Sequence, residues 1–299
     1  MTTPDPLVYV AARRVLLDAL DALTKHRRAV VLVGAQAIYL QAGEADLEVS
    51  VAPFTADADL SIDPALLGPE PQIAEAMTSA GFTLKMKAGN GGVEPGTWLA
   101  ATKIDEATVY VPVDLLVPEA LAPGRGKRDA RLPDHGKSVT RWTPGLEATV
   151  VDNTEMAISS LEPALDTRQA MIKVAGPAAL LVAKSHKIAD RLDDGDRGRE
   201  HRVKPKDCAD VIRIMRAPMP PAAVGARLAE LARNPVCAAS VKAGVEHLAV
   251  QFGGPSSAGV DLAVEALAGA LPEELLRGLA PSYIAALLAA YQGWSRRTV

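Results

Sequence analysis

The chain has 299 residues, of which 48% are hydrophobic and 23% are charged, and its formal net charge is −4. This length permits two domains, and the slight negative charge excludes a polycation that coats nucleic acid over its whole surface. The amino terminus lacks signal-peptide features, and no apolar run approaches the roughly 20 residues of a membrane-spanning helix. Cys208 and Cys237 have no metal-ligand spacing. We therefore expect a cytoplasmic protein without a membrane partner.

The segment from Val30 to Asp63 is the most informative part of the sequence. A helix with one apolar stripe is expected over Leu7–His26. Val30–Val33 is a β-branched apolar run that predicts a buried strand, and Gly34 follows it directly. Ala35–Gln41 has the composition of a helix. This order predicts a strand, a glycine turn and a helix near the start of the first domain.

Two aspartates, Asp57 and Asp59, come next and are separated by one residue. Residues i and i+2 of a strand point to the same face, so the two carboxylates lie side by side while Ala58 and Leu60 face the other way. Such carboxylates repel each other unless a cation lies between them. Mg²⁺ commonly takes one or two carboxylates plus substrate phosphates. The pattern suggests a magnesium and nucleotide-phosphate site, with two solvated acids at a strand end as the alternative.

A third aspartate, Asp114, lies within the strongly β-forming run Thr108–Val117. A charge in a buried strand needs a partner or a metal. The sequence leaves two interpretations open, a metal ligand or a carboxylate paired with an arginine or a backbone amide.

The segment Pro118–Pro144 is rich in glycine, proline and basic residues, and we interpret it as a long loop whose charge suits a polyanion. Its basic residues are Arg125, Lys127, Arg128, Arg131, Lys137 and Arg141. After it, Leu146–Val151 and Glu155–Ser160 are expected to pair as a hairpin across Asp152 and Asn153. Strand-like sequence ends near residue 175.

The remainder of the chain predicts helices. Pro177–Leu192 forms one, with Lys184 on the face opposite Leu181 and Ser185, and Asp207 begins or caps another. We therefore predict an α+β fold with a mixed-sheet domain over residues 1–175 and a helical domain over residues 176–299.

The order of Gly34, Asp57, Asp59 and Asp114 resembles the nucleotidyltransferase fold, a polymerase-β-like mixed sheet with flanking helices. The segments AKSHKIADR (residues 183–191) and KPKDCADVIRI (residues 204–214) resemble the paired motifs of the AbiEii toxin-like nucleotidyltransferases, which include the MenT toxins. The resemblance covers about residues 28–216 and departs from the family at Ala35, where a second glycine or a serine is usual.

The resemblance implies a Mg²⁺-dependent transfer of a nucleoside monophosphate from an NTP to an acceptor hydroxyl. It implies metal binding by Asp57, Asp59 and Asp114, with Asp114 also orienting or deprotonating the hydroxyl. Lys184 would neutralise phosphate charge, and Asp207 would position Lys184 or the nucleotide. The nucleotide-binding residues would be Gly34, Gln36, Thr55 and Lys184.

The resemblance favours a toxin of a toxin–antitoxin pair that acts on the tRNA 3′ end, and it leaves open whether a cognate antitoxin exists. One alternative is an antibiotic-type nucleotidyltransferase that acts on a small molecule. A second is a catalytically inert binding protein of the same fold. Magnesium-dependent NTP turnover would separate this binding protein from the enzymes.

Overall fold

The computed structural model describes residues 6–43, 55–89, 91–124 and 126–296. These residues have an α+β architecture, with a mixed sheet and its helices first and an all-helical region after Ala175. They form two compact units. The first comprises residues 6–37, 55–143 and 153–175, and the second comprises residues 38–43, 144–152 and 176–296. Two short segments that precede residue 175 thus belong to the second unit.

Eight strands within the described residues form one sheet in the first unit. They are β1 (Val30–Val33), β2 (Ala58–Ile62), β3 (Thr83–Met86), β4 (Val93–Ile104), β5 (Ala107–Pro118), β6 (Arg141–Thr143), β7 (Asn153–Ser159) and β8 (Gln169–Ala175). Their order is β3-β4-β5-β2-β1-β8-β7, and β6 pairs with β5. The pairs β2–β5, β1–β8 and β5–β6 are parallel, and the others are antiparallel.

The centre of the sheet is formed by the residues with the strongest apolar pattern. All four residues of β1 are buried, which confirms the strand predicted over Val30–Val33. The helix α1 (Pro6–Ala22) packs its apolar stripe against the sheet and contacts β2, β4, β5 and β8. The helix α2 (Gly34–Ala42) follows β1 directly, as predicted.

One local prediction in this region is wrong. The hairpin across Asp152 and Asn153 does not form, because residues Glu147–Val150 make a 3-10 turn. The strand β7 instead pairs over its whole length with β8, from Asn153 opposite Ala175 to Ser159 opposite Gln169. Further along the chain, a 3-10 turn over Pro64–Leu66 precedes α3 (Ile73–Ser79), which buries Ile73 and Met77. Pro69 and Pro71 lie between the two, and proline cannot donate the backbone hydrogen bond that a continuous helix would need.

The helices of the second unit beyond residue 176 are α4 (Pro177–Asp196), α5 (Pro205–Arg216), α6 (Pro221–Leu231), α7 (Ala238–Phe252), α8 (Ala258–Ala266) and α9 (Glu273–Arg296). The helix α4 packs against α5, α6 and α7, and is therefore surrounded on several sides. Pro281 lies inside α9. None of the helices in the described ranges has the length and apolar character needed to cross a membrane.

Candidate functional site

A row of polar side chains crosses the centre of the sheet in the first unit. Asp59 of β2 stands in parallel register with Asp114 of β5, and Asp114 stands opposite Thr97 of β4. Residues in register on neighbouring strands present their side chains on the same face. The sheet topology therefore brings together two of the three predicted aspartates, although 55 positions separate them in sequence.

The third predicted aspartate, Asp57, lies immediately before β2. Burial alternates as predicted: Ala58 and Leu60 are buried, whereas Asp57 and Asp59 are partly accessible. The Oδ1 atom of Asp57 accepts a short hydrogen bond from the Thr55 hydroxyl group. The paired orientation of Asp57 and Asp59 follows from this alternation.

Two features of the turn between β1 and α2 require a glycine at position 34. Its φ angle is +68°, in the left-handed region that favours glycine. A Cβ atom at this position would lie 2.0 Å from Oδ2 of Asp59, so the carboxylate rests against the bare Cα atom. Gly34 thus allows Asp59 to approach the start of α2. Gly34 therefore lies beside the predicted aspartates, whereas nucleotide binding by Gly34 stays a prediction.

We expect Gly34→Ala to destabilise the fold more than Gly43→Ala. Gly43 has a similar φ angle of +58°, but a Cβ atom there would meet nothing within 4 Å. Both substitutions carry the backbone cost of about 1–2 kcal/mol, and only Gly34→Ala adds the clash with Asp59. Urea unfolding of both variants measures the difference. Equal losses would show that the Asp59 carboxylate moves aside without cost.

Asp114 is held by an arginine from the short strand β6. Nη2 of Arg141 lies 2.5 Å from Oδ2 of Asp114, and the Thr97 hydroxyl donates to Oδ1 of Asp114 at 2.7 Å. Nη1 of Arg141 also lies 3.8 Å from Oε1 of Glu94. This ion pair is the partner that the alternative interpretation of Asp114 required, and the role of Asp114 as a metal ligand stays a prediction.

The donor set partly fits a magnesium ion. Asp57 and Asp59 offer two carboxylates on one face. Mg²⁺ often takes one or two protein carboxylates together with substrate phosphates. In contrast, the Asp114 carboxylate is already neutralised by Arg141. Within the described residues, no three His, Cys, Asp or Glu side chains form a group that could hold a metal ion. A metal here would thus depend on Asp57, Asp59 and oxygen atoms of a substrate.

Gln36 and Thr55, the predicted polar contacts, are both buried. The Gln36 amide accepts from Nε of Arg13 at 2.9 Å and donates to the backbone carbonyl of Asp57 at 3.1 Å. Thr55 donates to the Asp57 carboxylate. In the structure the two residues fix the backbone and side chain of Asp57, and direct phosphate contact by either stays a prediction.

The two C-terminal motifs meet in a buried ion cluster within the second unit. Nζ of Lys184 lies 3.0 Å from Oδ1 of Asp207 and 2.7 Å from Oδ2 of Asp210. Two further cations contact the Asp207 carboxylate, Lys187 at 3.2 Å and Arg191 through a short ion pair. Arg213 lies 3.3 Å from Oδ1 of Asp210. We call these six residues the lysine cluster.

Charges in the lysine cluster stabilise one another. Burial alone would lower the pKa of Lys184, but the carboxylates of Asp210 and Asp207 outweigh it and raise this pKa well above the ordinary value. Burial alone would raise the pKa of Asp207, but Lys184, Lys187 and Arg191 hold it well below its ordinary value. The raised pKa favours the ammonium form of Lys184 at neutral pH, which suits a cation and not a general base.

The lowered pKa of Asp207 predicts acid sensitivity. Because the unfolded chain binds a proton more readily than the folded protein, the stabilisation is present above the ordinary pKa of 3.8 and is lost as the pH falls below it. We expect the free energy of unfolding to decrease more steeply below pH 4 in the wild type than in Asp207→Asn. Asp196→Asn, which changes an exposed carboxylate on α4, is the control and should keep the wild-type slope. Parallel slopes for Asp207→Asn and the wild type would contradict the assignment.

Two expectations about the lysine cluster need correction. Lys184 was expected on an exposed face of its helix, but it is only 5% exposed, because α4 is surrounded by other helices. Asp207 was expected to begin or cap a helix. It lies in the first turn of α5, but Lys204 is the residue before the helix and no side chain caps it. The predicted proximity of Asp207 and Lys184 is confirmed, whereas contact between Lys184 and a substrate phosphate stays a prediction.

The sequence analysis did not identify several residues of the lysine cluster and of the polar row in the sheet. Asp210 and Arg213 follow Asp207 at intervals of three residues, a spacing that places them on one helix face and could have indicated a charged stripe. Arg141 was recognised only as one basic residue of a loop, and Arg125 of that loop lies outside the described residues.

Comparison of the chain with protein-family models, with curated proteins and with solved structures gave no match.

Proposed function

We propose that the protein is a nucleotidyltransferase that moves a nucleoside monophosphate from an NTP to an acceptor hydroxyl with Mg²⁺ as cofactor. The observation that carries the proposal is the registered placement of Asp59 and Asp114 on neighbouring parallel strands, with Asp57 beside them and Gly34 beneath Asp59. This placement supports a polymerase-β-like fold for the first unit. The sequence resemblance to the AbiEii toxin-like family supports the same class.

Asp57 and Asp59 would hold the magnesium ion, which supplies charge neutralisation of the triphosphate. Gln36 and Thr55 act on this site by fixing Asp57, because they bind its backbone carbonyl and its carboxylate. Gly34 gives Asp59 its position at the start of α2. Precise placement of these groups matters because phosphoryl transfer is catalysed mainly by positioning and electrostatics.

Asp114 would orient the acceptor hydroxyl. Its carboxylate is oriented in turn by the Thr97 hydroxyl and the Arg141 guanidinium. A carboxylate oxygen held in this way could accept a hydrogen bond from the attacking hydroxyl group. Lys184 and Asp207 are assigned to the reaction by resemblance, with Lys184 serving the phosphates as a cation that Asp207 and Asp210 keep charged.

The acceptor that the resemblance favours is the tRNA 3′ end, with the protein acting as the toxin of a toxin–antitoxin pair. Two members of the lysine cluster, Lys187 and Arg191, are exposed or partly exposed cations that would suit a polyanionic acceptor. A small-molecule acceptor of the antibiotic type uses the same chemistry and differs in needing an enclosed pocket.

A second candidate is a nucleotide-binding protein of the same architecture without catalysis. The specific observation that favours it is the Arg141–Asp114 ion pair, because an internal cation already neutralises the third carboxylate. This candidate predicts nucleotide binding without turnover.

The decisive experiment incubates the full chain with each α-labelled NTP, Mg²⁺ and total RNA, in parallel with the Asp59→Asn variant. Label in an RNA band with the wild type alone supports the transferase and identifies its acceptor. Label in a small-molecule fraction supports the antibiotic-type enzyme. Nucleotide binding without release of pyrophosphate would contradict the enzyme proposal and support the non-catalytic nucleotide-binding protein.

A further inference from the structure

The guanidinium group of Arg141 is held at the open face of the polar row. It is 23% exposed, and its contacts are the Asp114 carboxylate, the Thr97 hydroxyl at 3.4 Å and the Glu94 carboxylate. Glu94 is itself paired with Lys85 at 3.1 Å. The side chain is therefore ordered by two hydrogen-bond acceptors and by a longer ion pair with Glu94, and it can still be reached from solvent.

The backbone of Arg141 is fixed more firmly than that of a loop residue. It pairs in parallel register with Leu116 of β5. Gly96 of β4, with a φ angle of +76°, lies so close that a Cβ atom there would be 2.6 Å from the Arg141 backbone nitrogen. Only a glycine permits this approach. The guanidinium thus starts from a rigid strand and not from a mobile loop.

The local charge balance shows why a cation is needed here. Among the described residues around Arg141, the carboxylates of Asp114 and Glu94 contact its guanidinium, and Asp59 is in register with Asp114 on the neighbouring strand. Asp57 lies just before that strand, and Lys85 is already paired with Glu94. A polyphosphate would be repelled by this excess of negative charge unless positive groups face it. An arginine presents five donors in a planar fork that matches phosphate oxygens, and the contacts described above leave some of these donors for a ligand.

We propose that Arg141 is the phosphate-binding residue of this site, positioned by Asp114 and Thr97 and shared with the polyphosphate chain of the substrate. This inference rests on the proposed function for the identity of the substrate, an NTP. Its phosphate-binding part is independent of catalysis and is tested without turnover.

The first test measures binding of inorganic tripolyphosphate to the full chain by calorimetry in the presence of Mg²⁺. Arg141→Ala should weaken binding roughly ten- to a hundredfold, the effect of losing a charge-assisted contact, and Arg141→Lys should recover part of the loss. The matched control is Arg14→Ala. Arg14 also pairs with one carboxylate, Glu162, and one threonine hydroxyl, Thr102, and has a similar exposure of 29%. The Arg14→Ala variant should bind tripolyphosphate as tightly as the wild type.

A second pair of variants guards against misfolding of Arg141→Ala. Asp114→Asn leaves Arg141 in place but releases its guanidinium, so tripolyphosphate binding in EDTA should strengthen by about tenfold, the effect of one charged contact. Adding Arg141→Ala to Asp114→Asn should abolish that gain. A double variant that keeps the gain would overturn the proposal, because the effect would come from removing the Asp114 charge alone. Wild-type binding by Arg141→Ala would overturn it as well.

The outcomes separate this inference from the proposed function. Arg141-dependent tripolyphosphate binding without NTP turnover supports the phosphate site and refutes the enzyme. NTP turnover with unchanged tripolyphosphate binding and an unchanged NTP requirement in Arg141→Ala supports the enzyme and refutes the role of Arg141.

Discussion

Replacing Lys184 with methionine is expected to lower the free energy of unfolding by about 3 kcal/mol or more, the usual cost of removing one partner from a buried ion pair. The ammonium is nearly inaccessible and lies between Asp207 and Asp210, whose side chains are 3% and 0% exposed. Methionine keeps much of the side-chain volume but leaves both carboxylates without their shared cation. Urea unfolding at neutral pH, followed by circular dichroism, measures the loss.

Lys187→Met is the matched control for this prediction. Lys187 contacts the same Oδ1 atom of Asp207, but its side chain is 44% exposed. Solvent-screened ion pairs contribute about 0–1 kcal/mol, so this variant should stay close to the wild type. Adding Asp210→Asn to Lys184→Met should restore part of the lost stability, because a buried charge is then removed. Equal losses for Lys184→Met and Lys187→Met would show that burial does not govern the energetics of the cluster.

The elements that the sequence predicted well are those encoded by short-range patterns. The run Val30–Val33 specifies a buried strand through its branched side chains, and the alternation from Asp57 to Leu60 specifies which side chains face solvent. These patterns repeat over two to four residues and do not depend on distant partners. The strand, the glycine turn and the acidic pair were therefore visible before the structure.

The errors came where the outcome depended on distant residues. The burial of Lys184 could not be seen, because a helical stripe assumes one buried face, whereas α4 contacts helices on several sides. Asp152 and Asn153 suggested a hairpin turn, but β7 pairs with β8 instead, over its whole length. Such a register adds hydrogen bonds and cross-strand contacts along seven residue pairs, which a two-residue turn cannot match.

The partner of Asp114 illustrates the same limit within the candidate site. The sequence showed that this carboxylate needed a counter-ion, but it could not choose between a metal and an arginine. The choice depends on β6, which lies 27 residues after Asp114 and pairs with the end of β5. Long-range parallel pairing of a three-residue strand has almost no local signal.

Asp59→Asn is expected to reduce nucleotidyl transfer about a thousandfold or more while it leaves the fold intact. Under the proposed function Asp59 would hold the metal, and losing that ligand would remove several kcal/mol of transition-state stabilisation, where each factor of ten in rate corresponds to about 1.4 kcal/mol. Asparagine has the same shape, so it preserves the contact with the bare Cα atom of Gly34. Asp57→Asn should lose activity to a similar extent. Label transfer at saturating NTP and Mg²⁺ measures the effect, and urea unfolding checks that stability changes by less than about 1 kcal/mol.

Asp63→Asn provides the control at the opposite end of the same strand. Asp63 follows β2, and its carboxylate accepts a hydrogen bond from the backbone amide of Ala65 at 3.0 Å, so its role is local to that turn. This variant should transfer label at the wild-type rate. A further comparison replaces Mg²⁺ with Mn²⁺, whose binding to the protein without nucleotide can be followed by electron paramagnetic resonance. Loss of transfer in Asp59→Asn together with weaker Mn²⁺ binding assigns the carboxylate to the metal. Normal transfer by either Asp57→Asn or Asp59→Asn would remove the metal site, and with it the main support for a nucleotidyltransferase.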